Sequence, residues 1–159
     1  MNPKLIYDVG MHIGGDSDFY LKKGFNVVGV EANPALVAFC ERRFAFELSS
    51  GQLKIVNRAI AERARPIDFY INEDNDLWGS ADRRWAERDE KKSRVIAVEA
   101  STMQMIFAEF GMPYYMKVDI EGHDILCLRG LQACPIDRST FPSNPAQRLC
   151  KPQLSNSNY

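Results

Sequence analysis

The pattern of apolar and polar positions predicts a mostly parallel α/β fold. Three short apolar runs have the length and β-branched content of buried strands: residues 5–9, 26–30 and 53–56. Two helical segments lie between them, at 16–23, which ends before Gly24, and at 34–46, which has Pro34 in its first turn. Strands that alternate with helices favour a parallel sheet covered by helices on both faces.

The middle of the chain follows a different pattern. Residues 65–71 and 93–100 alternate apolar and polar side chains, which predicts an inserted antiparallel pair of strands. A charged segment joins the two strands and contains both tryptophans of the chain, Trp78 and Trp85. Two interpretations stay open for this segment: an aromatic platform folded over a binding crevice, or a solvated helix whose tryptophans pack on the sheet.

The parallel pattern resumes after the insertion. We expect a helix at 102–110, a fourth core strand at 114–122 and a further helix at 124–131. The expected architecture is a doubly wound sheet of order 3-2-1-4. In that order the first and fourth strands are neighbours, so their carboxyl ends open into one crevice.

The composition of the chain argues against nucleic-acid-binding, membrane and secreted proteins. The chain has 159 residues, enough for one domain with a buried core. Its net charge of -1 gives no electrostatic reason to expect binding to nucleic acid or to a membrane surface. No apolar run approaches the ~20 residues of a membrane span, and the N-terminus lacks the shape of a signal peptide. The four cysteines form no CxxC pair, so we expect reduced thiols in a cytoplasmic protein.

A glycine-punctuated turn follows the first strand and carries the first candidate chemistry. Its glycines allow the backbone to approach a ligand closely. Glu31 ends the second strand, 21 residues after Gly10, where a carboxylate can accept hydrogen bonds from ribose hydroxyls. A dinucleotide site needs G-x-G-x-x-G, but His12 replaces the second glycine, and Asp16 and Asp18 would repel a pyrophosphate. The turn therefore favours S-adenosylmethionine, a cationic cofactor without phosphates, over NAD.

The second candidate is the block KVDIEGHD at 117–124, which ends the fourth strand. The predicted strand order brings Asp119 and Glu121 near Asp8 and Gly10. Carboxylates around one crevice can hold a sulfonium, orient an acceptor or act as a base toward a hydroxyl. In the alternative interpretation, Asp119 only caps the following helix and Glu121 is solvated.

The two histidines, His12 and His123, fall in these two motifs. His123 is a candidate general base. Together with Asp119 and Glu121 the histidines could bind a metal, but histidine in a turn is typical of local hydrogen bonding, so we expect no metal. The D/N-P-P-Y/F signature of DNA methyltransferases is absent from the sequence, which argues against a base-flipping enzyme.

The chain resembles the FkbM-type methyltransferases, a branch of the Rossmann-like S-adenosylmethionine-dependent enzymes, in four segments: YDVGMHIGGDS, VVGVEANP, VNRAIAE and MKVDIEGHDILCLRGL. The resemblance covers roughly residues 4–131, and its most specific part is the K-x-D-x-E-G block that contains Asp119 and Glu121. His12 and Asp124 stand where the family often has Asn and Glu. Family members mostly methylate hydroxyls of sugars or natural products, so the resemblance implies an O-methyltransferase with a small-molecule acceptor.

The expected cofactor-binding residues lie at or after the ends of the first three strands: Asp8, Gly10, His12, Gly14, Glu31 and Asn57. The resemblance implies that Asp8, Gly10 and Gly14 line the methionine end of the cofactor. It also implies that Glu31 holds the ribose and that Asn57 lies near the adenine. Two alternatives stay open: a nicotinamide-dependent oxidoreductase with a degenerate glycine turn, and a non-catalytic cofactor-binding remnant.

The regular pattern stops after residue 131. Residues 132–159 hold four of the eight prolines, with serine and asparagine and no strand or helix period, which predicts an irregular, mobile tail. We therefore expect a partial methyltransferase domain at 1–131 that lacks the last strands of the full fold. Its fourth strand would be an exposed edge, prone to self-association, and turnover by the chain alone would be weak.

Overall fold

A computed structural model describes residues 2–72, 79–87, 92–120 and 122–133. The first part of the chain forms β1 (Asn2–Val9), α1 (Gly15–Lys22), β2 (Asn26–Val30), α2 (Pro34–Arg43), α3 (Ala45–Ser49) and β3 (Leu53–Val56). The middle forms β4 (Ala59–Ile60), β5 (Ile67–Asn72), β6 (Gly79–Ser80), α4 (Arg83–Ala86) and β7 (Ser93–Val98). The last part forms β8 (Ala100–Ser101), α5 (Met103–Phe110), β9 (Pro113–Val118) and α6 (Asp124–Ala133).

The central sheet has four parallel strands in the order β3-β2-β1-β9. This is the predicted order 3-2-1-4, because β9 is the fourth core strand of the sequence pattern. Asp8, near the carboxyl end of β1, lies opposite Gly29 of β2 and Lys117 of β9. The ends of these three strands therefore meet at one edge of the sheet, and the predicted doubly wound α/β fold is confirmed.

Apolar side chains fill both faces of this sheet. On one face α5 buries Met103, Ile106 and Phe107, at the i, i+3 and i+4 positions of a helical stripe. Burial of each such side chain is worth about 1.5–3 kcal/mol. The side chain of Thr102 caps this helix by accepting a hydrogen bond from the N–H of Met105 at 3.3 Å. The other face packs Leu21 and its neighbours from α1, α2 and β3.

The helix predicted at 34–46 is interrupted, and that part of the prediction is wrong. It ends at Arg43, and α3 begins at Ala45. Phe44 between them has φ -112° and ψ 32°, outside the helical range, and its ring is buried with the α1 and β3 side chains. The chain bends here because this conformation directs the Phe44 ring into the core instead of continuing the helix toward solvent.

The antiparallel insertion is confirmed and is larger than predicted. β5 and β7 pair over six residues each, and β6 adds a short third strand to β5. A two-residue parallel pair, β4 with β8, was not predicted, because two residues give no readable periodicity. A core cluster of Ala59, Phe69, Ile71, Val98 and Ala100 joins this pair to the insertion.

The carboxyl ends of β9 and α6 differ from the expected bounds. β9 stops at Val118, so Asp119 and Ile120 of the strand predicted at 114–122 lie beyond its end. α6 continues to Ala133 and so includes residues 132 and 133 of the predicted tail; the rest of that tail lies outside the described residues. Cys40 and Cys127 are free, buried thiols. Within the described ranges, no helix is long and apolar enough to cross a bilayer.

Candidate functional site

The turn after β1 is built for a close approach between strands. Gly10 has φ +80°, and both its N–H and that of Met11 donate to the carbonyl oxygen of Val30, at 2.9 and 3.1 Å. A methyl group added at Gly10 would lie 1.9 Å from the carbonyl oxygen of Asp119. Only glycine therefore lets the turn lie against the end of β9, which places the two sequence motifs side by side.

Glu31 holds this turn to the end of β2. The residue is 8% exposed, and its carboxylate accepts hydrogen bonds from the backbone N–H of His12 and of Asn33, each at 2.8 Å. His12 has φ +55°, the one non-glycine residue of the described chain with positive φ, and the Glu31 bond stabilises that conformation. Burial raises the pKa of Glu31, while the two N–H donors oppose the rise. Two bonds leave lone pairs of this carboxylate available to a ligand.

Lys117 lies at the centre of a charged cluster beneath the turn. Its Nζ lies 3.3 Å from Asp8 Oδ1, 3.6 Å from Asp16 Oδ2 and 3.9 Å from Asp119 Oδ2. It also donates a hydrogen bond to the carbonyl oxygen of Gly10 at 3.0 Å. Burial acts to lower the pKa of Lys117, but Asp8, Asp119 and Asp16 outweigh it and raise the pKa, which keeps the ammonium charged.

Asp8 is fully buried and has two different partners. Ser17 donates a hydrogen bond to Oδ2 at 2.7 Å. Oδ1 forms an ion pair with the Lys117 ammonium at 3.3 Å and accepts no hydrogen bond from the described residues. Burial raises the pKa of Asp8, and Lys117 acts in the opposite direction. Asp8 is therefore a support beneath the crevice and is not part of its wall.

The loop after β9 brings two predicted catalytic residues to the crevice. Asp119 and His123 both line it, and the Asp119 side chain is 55% exposed. Nδ1 of His123 is buried and has no hydrogen-bond partner among the described residues. In this loop the carboxylate of Asp124 accepts a hydrogen bond from the backbone N–H of Ile120 at 3.0 Å. Glu121, the third predicted catalytic residue, lies outside the described residues.

These elements surround a cavity of about 500 Å³. That volume is within the range of small-molecule and cofactor sites. Of the expected cofactor-binding residues, Gly10, His12 and Glu31 line it. Gly14 does not: a methyl group there would lie 2.4 Å from Cε2 of Phe44, so the core packing requires its glycine.

Asn57 does not line this cavity either. Its amide donates hydrogen bonds to the carbonyl oxygens of Glu31 and Ala32, at 2.9 and 3.1 Å. Asn57 therefore fixes the end of β2 and, through it, the position of Glu31. Its expected place near an adenine stays a prediction.

Two parts of the site were not predicted from the sequence. Lys117 was not singled out, although its position two residues before Asp119 puts both side chains on one side of an extended strand. Of the insertion, only the segment between its two strands was considered as a cover for the crevice; Gly79 and Ala81 of that segment line the crevice, and so does Phe69 of β5, which was not predicted. The sequence gives little indication that these three residues line a crevice, because two are small and the third is a residue type common in protein cores.

Trp85 lies on the short helix α4 and does not line the crevice. Its side chain is 46% exposed, and a methyl group at Gly122 would lie 2.4 Å from its indole Nε1. Gly122 thus permits α4 of the insertion to contact the loop after β9. Trp78, the other tryptophan, lies outside the described residues.

A second, smaller cavity of about 360 Å³ adjoins the first. The two share three lining residues, Ile60, Ala81 and His123. Polar side chains of the second cavity include Asp68 and Tyr70 from β5. His123 thus lies at the junction of the two spaces. In the part of the chain that the structure describes, no group of three or more His, Cys, Asp or Glu residues could hold a metal ion.

Comparison with known proteins identifies the family. A family model described as the methyltransferase FkbM domain matches residues 8–143 of the 159-residue chain. The searches of curated proteins and of solved structures found no match. The matched range includes the glycine turn, Glu31, Lys117 and the loop after β9. The chain belongs to the FkbM methyltransferase family.

Proposed function

We propose that this chain is an S-adenosylmethionine-dependent O-methyltransferase whose acceptor is a hydroxyl of a sugar or a natural product. Membership of the FkbM methyltransferase family supports methyl transfer. The cofactor is proposed from the chemistry of the first cavity, and the class of acceptor is the one that the resemblance to the family implies.

The observation that carries the proposal is the position of the Glu31 carboxylate. It lines the cavity at the carboxyl end of β2, and its orientation is fixed by the N–H groups of His12 and Asn33. A fixed acidic acceptor at this point of a doubly wound sheet suits the two hydroxyls of an adenosine ribose. The lone pairs that remain on the carboxylate are free for such bonds.

The charge of the crevice suits the other end of this cofactor. Asp16 and Asp119 contribute two carboxylates beside the glycine turn, and Asp8 contributes a third from below. Lys117 supplies one positive charge among them. The excess of negative charge favours a cationic sulfonium and disfavours a pyrophosphate.

S-adenosylmethionine, when bound, supplies a methyl group on a positively charged sulfur that an acceptor oxygen can take. The chain must then remove the proton of the acceptor hydroxyl. His123 is the best placed base, because it lines both cavities at their junction. The Asp119 carboxylate, which lines the first cavity, is the second group able to hold that proton.

The acceptor is proposed to enter through the second cavity. Asp68 and Tyr70 line that cavity and can accept or donate hydrogen bonds to hydroxyl groups. A polyhydroxylated acceptor held there would reach His123 at the junction of the two spaces. The insertion forms the outer wall of this path, so it restricts access of water to the reacting oxygen.

A methyl-transfer screen tests the proposal. The purified chain is incubated with S-adenosylmethionine that carries a labelled methyl group and with sets of sugars and hydroxylated polyketides. We expect labelled ether products from at least one acceptor, and loss of that product in Asp68→Asn through a higher KM for the acceptor. Label transfer to nitrogen or carbon acceptors alone would contradict O-methylation.

A further inference from the structure

Lys117 is a fixed positive charge inside a crevice that is otherwise acidic. Two arginine or lysine side chains of the described residues line the cavity, Arg58 and Lys117. Arg58 is paired with Glu109 at 2.9 Å, a residue that does not line the cavity. Lys117 instead lies within 4 Å of three carboxylates of the site, and its side chain is 15% exposed.

This ammonium cannot move away from the site without losing most of its partners. It contacts the end of β1 through Asp8 and the Gly10 carbonyl, the start of α1 through Asp16, and the end of β9 through Asp119. Little solvent reaches it to screen the charge. Its field therefore acts strongly on any charged group of a ligand beside the glycine turn and only weakly on a neutral one.

Methyl transfer removes one methyl group and one positive charge from the cofactor and leaves the rest of it unchanged. S-adenosylmethionine carries a sulfonium, and S-adenosylhomocysteine, the product, has a neutral thioether in the same place. Carboxylates alone would bind the sulfonium far more tightly than the thioether, and interactions that stabilise the substrate more than the transition state slow the reaction. A cation in the same cluster offsets that effect.

We propose that Lys117 is a specificity-determining residue that limits the preference of the crevice for the cationic form of the cofactor. This inference rests on the proposed function. Lys117 compensates one of the three carboxylate charges, so the sulfonium is bound without being over-stabilised. Its role is electrostatic and is separate from the hydrogen bonds of Glu31 to the ribose.

The test compares the affinities of S-adenosylmethionine and S-adenosylhomocysteine in matched variants. Loss of Lys117 alone would let the buried Asp8 take up a proton, which would hide the change of charge. We therefore use Asp8→Asn as the background and add Lys117→Gln, whose amide can still donate to the Gly10 carbonyl. Both ligands are titrated by calorimetry into each protein.

We expect the ratio of the two dissociation constants to move toward the sulfonium by about tenfold when Lys117→Gln is added to Asp8→Asn, the effect of one unit charge at moderate distance. Lys22→Gln is the control, because Lys22 is paired with Asp18 on the outside of α1 and its side chain is 73% exposed. This control should leave the ratio unchanged. If Asp8→Asn/Lys117→Gln does not fold, Asp8→Asn/Lys117→Met gives the same comparison.

The outcomes separate the inference from the proposed function. If the wild-type protein binds neither ligand, the proposed function fails. If wild type binds both, and the added Lys117 substitution changes both affinities by the same factor, Lys117 is only structural and the inference is overturned.

Discussion

Asp8 and Lys117 lie opposite each other on neighbouring strands, with Asp8 Oδ1 and Lys117 Nζ 3.3 Å apart at the base of the crevice. The pair connects β1, which carries the glycine turn, to β9, which carries Asp119. Removal of Lys117 leaves the buried Asp8 carboxyl without its cation, whereas removal of Asp8 leaves Lys117 with Asp16 and Asp119. The stability of the sheet and the electrostatics of the site therefore depend on the same pair.

Lys117→Met should lower the free energy of unfolding by about 3 kcal/mol, because removing one partner of a buried ion pair is costly. Urea denaturation measures this loss. Asp8→Asn/Lys117→Met should lose less than the sum of the two single variants, since neither charge is then left alone. Additive losses would show that the two residues do not interact in solution.

Gly10→Ala should destabilise the fold more than Gly24→Ala. Both glycines have positive φ, +80° and +81°, so both substitutions introduce backbone strain of about 1–2 kcal/mol. At Gly24 no atom lies within 4 Å of the added methyl group, whereas at Gly10 it meets the Asp119 carbonyl. Gly10→Ala should therefore cost about 1–3 kcal/mol more. Equal losses in thermal unfolding would contradict the close approach of β1 and β9.

Glu31→Ala should impair both the turn and the cofactor site. Each lost hydrogen bond, from the N–H of His12 or of Asn33 to the charged carboxylate, should lower the free energy of unfolding by about 1.5–3 kcal/mol. Water that enters and binds the freed N–H groups would reduce this loss. S-adenosylhomocysteine should bind more weakly by about 1.5–3 kcal/mol. Calorimetry on the folded variant measures the second effect, and unchanged affinity would remove Glu31 from the ribose site.

The sequence predicted the central sheet well, for a physical reason. β-branched runs separated by helices leave few arrangements, and the strands β1, β2 and β3 have the expected bounds within a few residues. The proximity of Gly10 to Asp119 followed from strand order alone. The pairing of Lys117 with Asp8 depends on the register between β9 and β1. A single sequence does not determine that register.

Side-chain roles were harder to predict than strand order. Gly14 looked like a ligand-binding glycine, but its space is taken by Phe44, a residue 30 positions away that the pattern placed in a continuous helix. Asn57 is bound to the backbone of β2. Both residues shape the site from outside the cavity, and the local sequence of a turn does not distinguish such support from direct contact.

The general base is expected to affect the rate more than cofactor affinity. His123→Gln should lower kcat for methyl transfer by about 10²–10⁴-fold, the usual contribution of a general base, and should leave S-adenosylhomocysteine affinity within a few-fold. The same two quantities, kcat and S-adenosylhomocysteine affinity, are measured for Asp119→Asn and Glu121→Gln. Asp18→Asn, on the outer side of α1, is the control. A His123 variant that turns over normally would show that His123 is not the base.

Cofactor affinity should fall as the pH is lowered, because Glu31 becomes protonated. Burial raises the pKa of this carboxyl above its ordinary value of 4.5, against the pull of its N–H donors. The ionised form accepts the ribose hydroxyls, so affinity is complete above the raised pKa and is lost as pH falls through it. The loss should begin at a higher pH than for an ordinary glutamate and should be absent in Glu31→Gln. Calorimetry in a series of buffers from neutral pH downward measures this difference.

The identity of the cofactor is the central claim, and one calorimetric experiment tests it directly. The wild-type chain is titrated separately with S-adenosylmethionine, S-adenosylhomocysteine and NAD. We predict that both adenosyl compounds bind at one site per chain and that NAD does not bind, because Asp16 and Asp119 oppose its pyrophosphate beside the glycine turn. Binding of NAD without binding of S-adenosylhomocysteine would contradict the account.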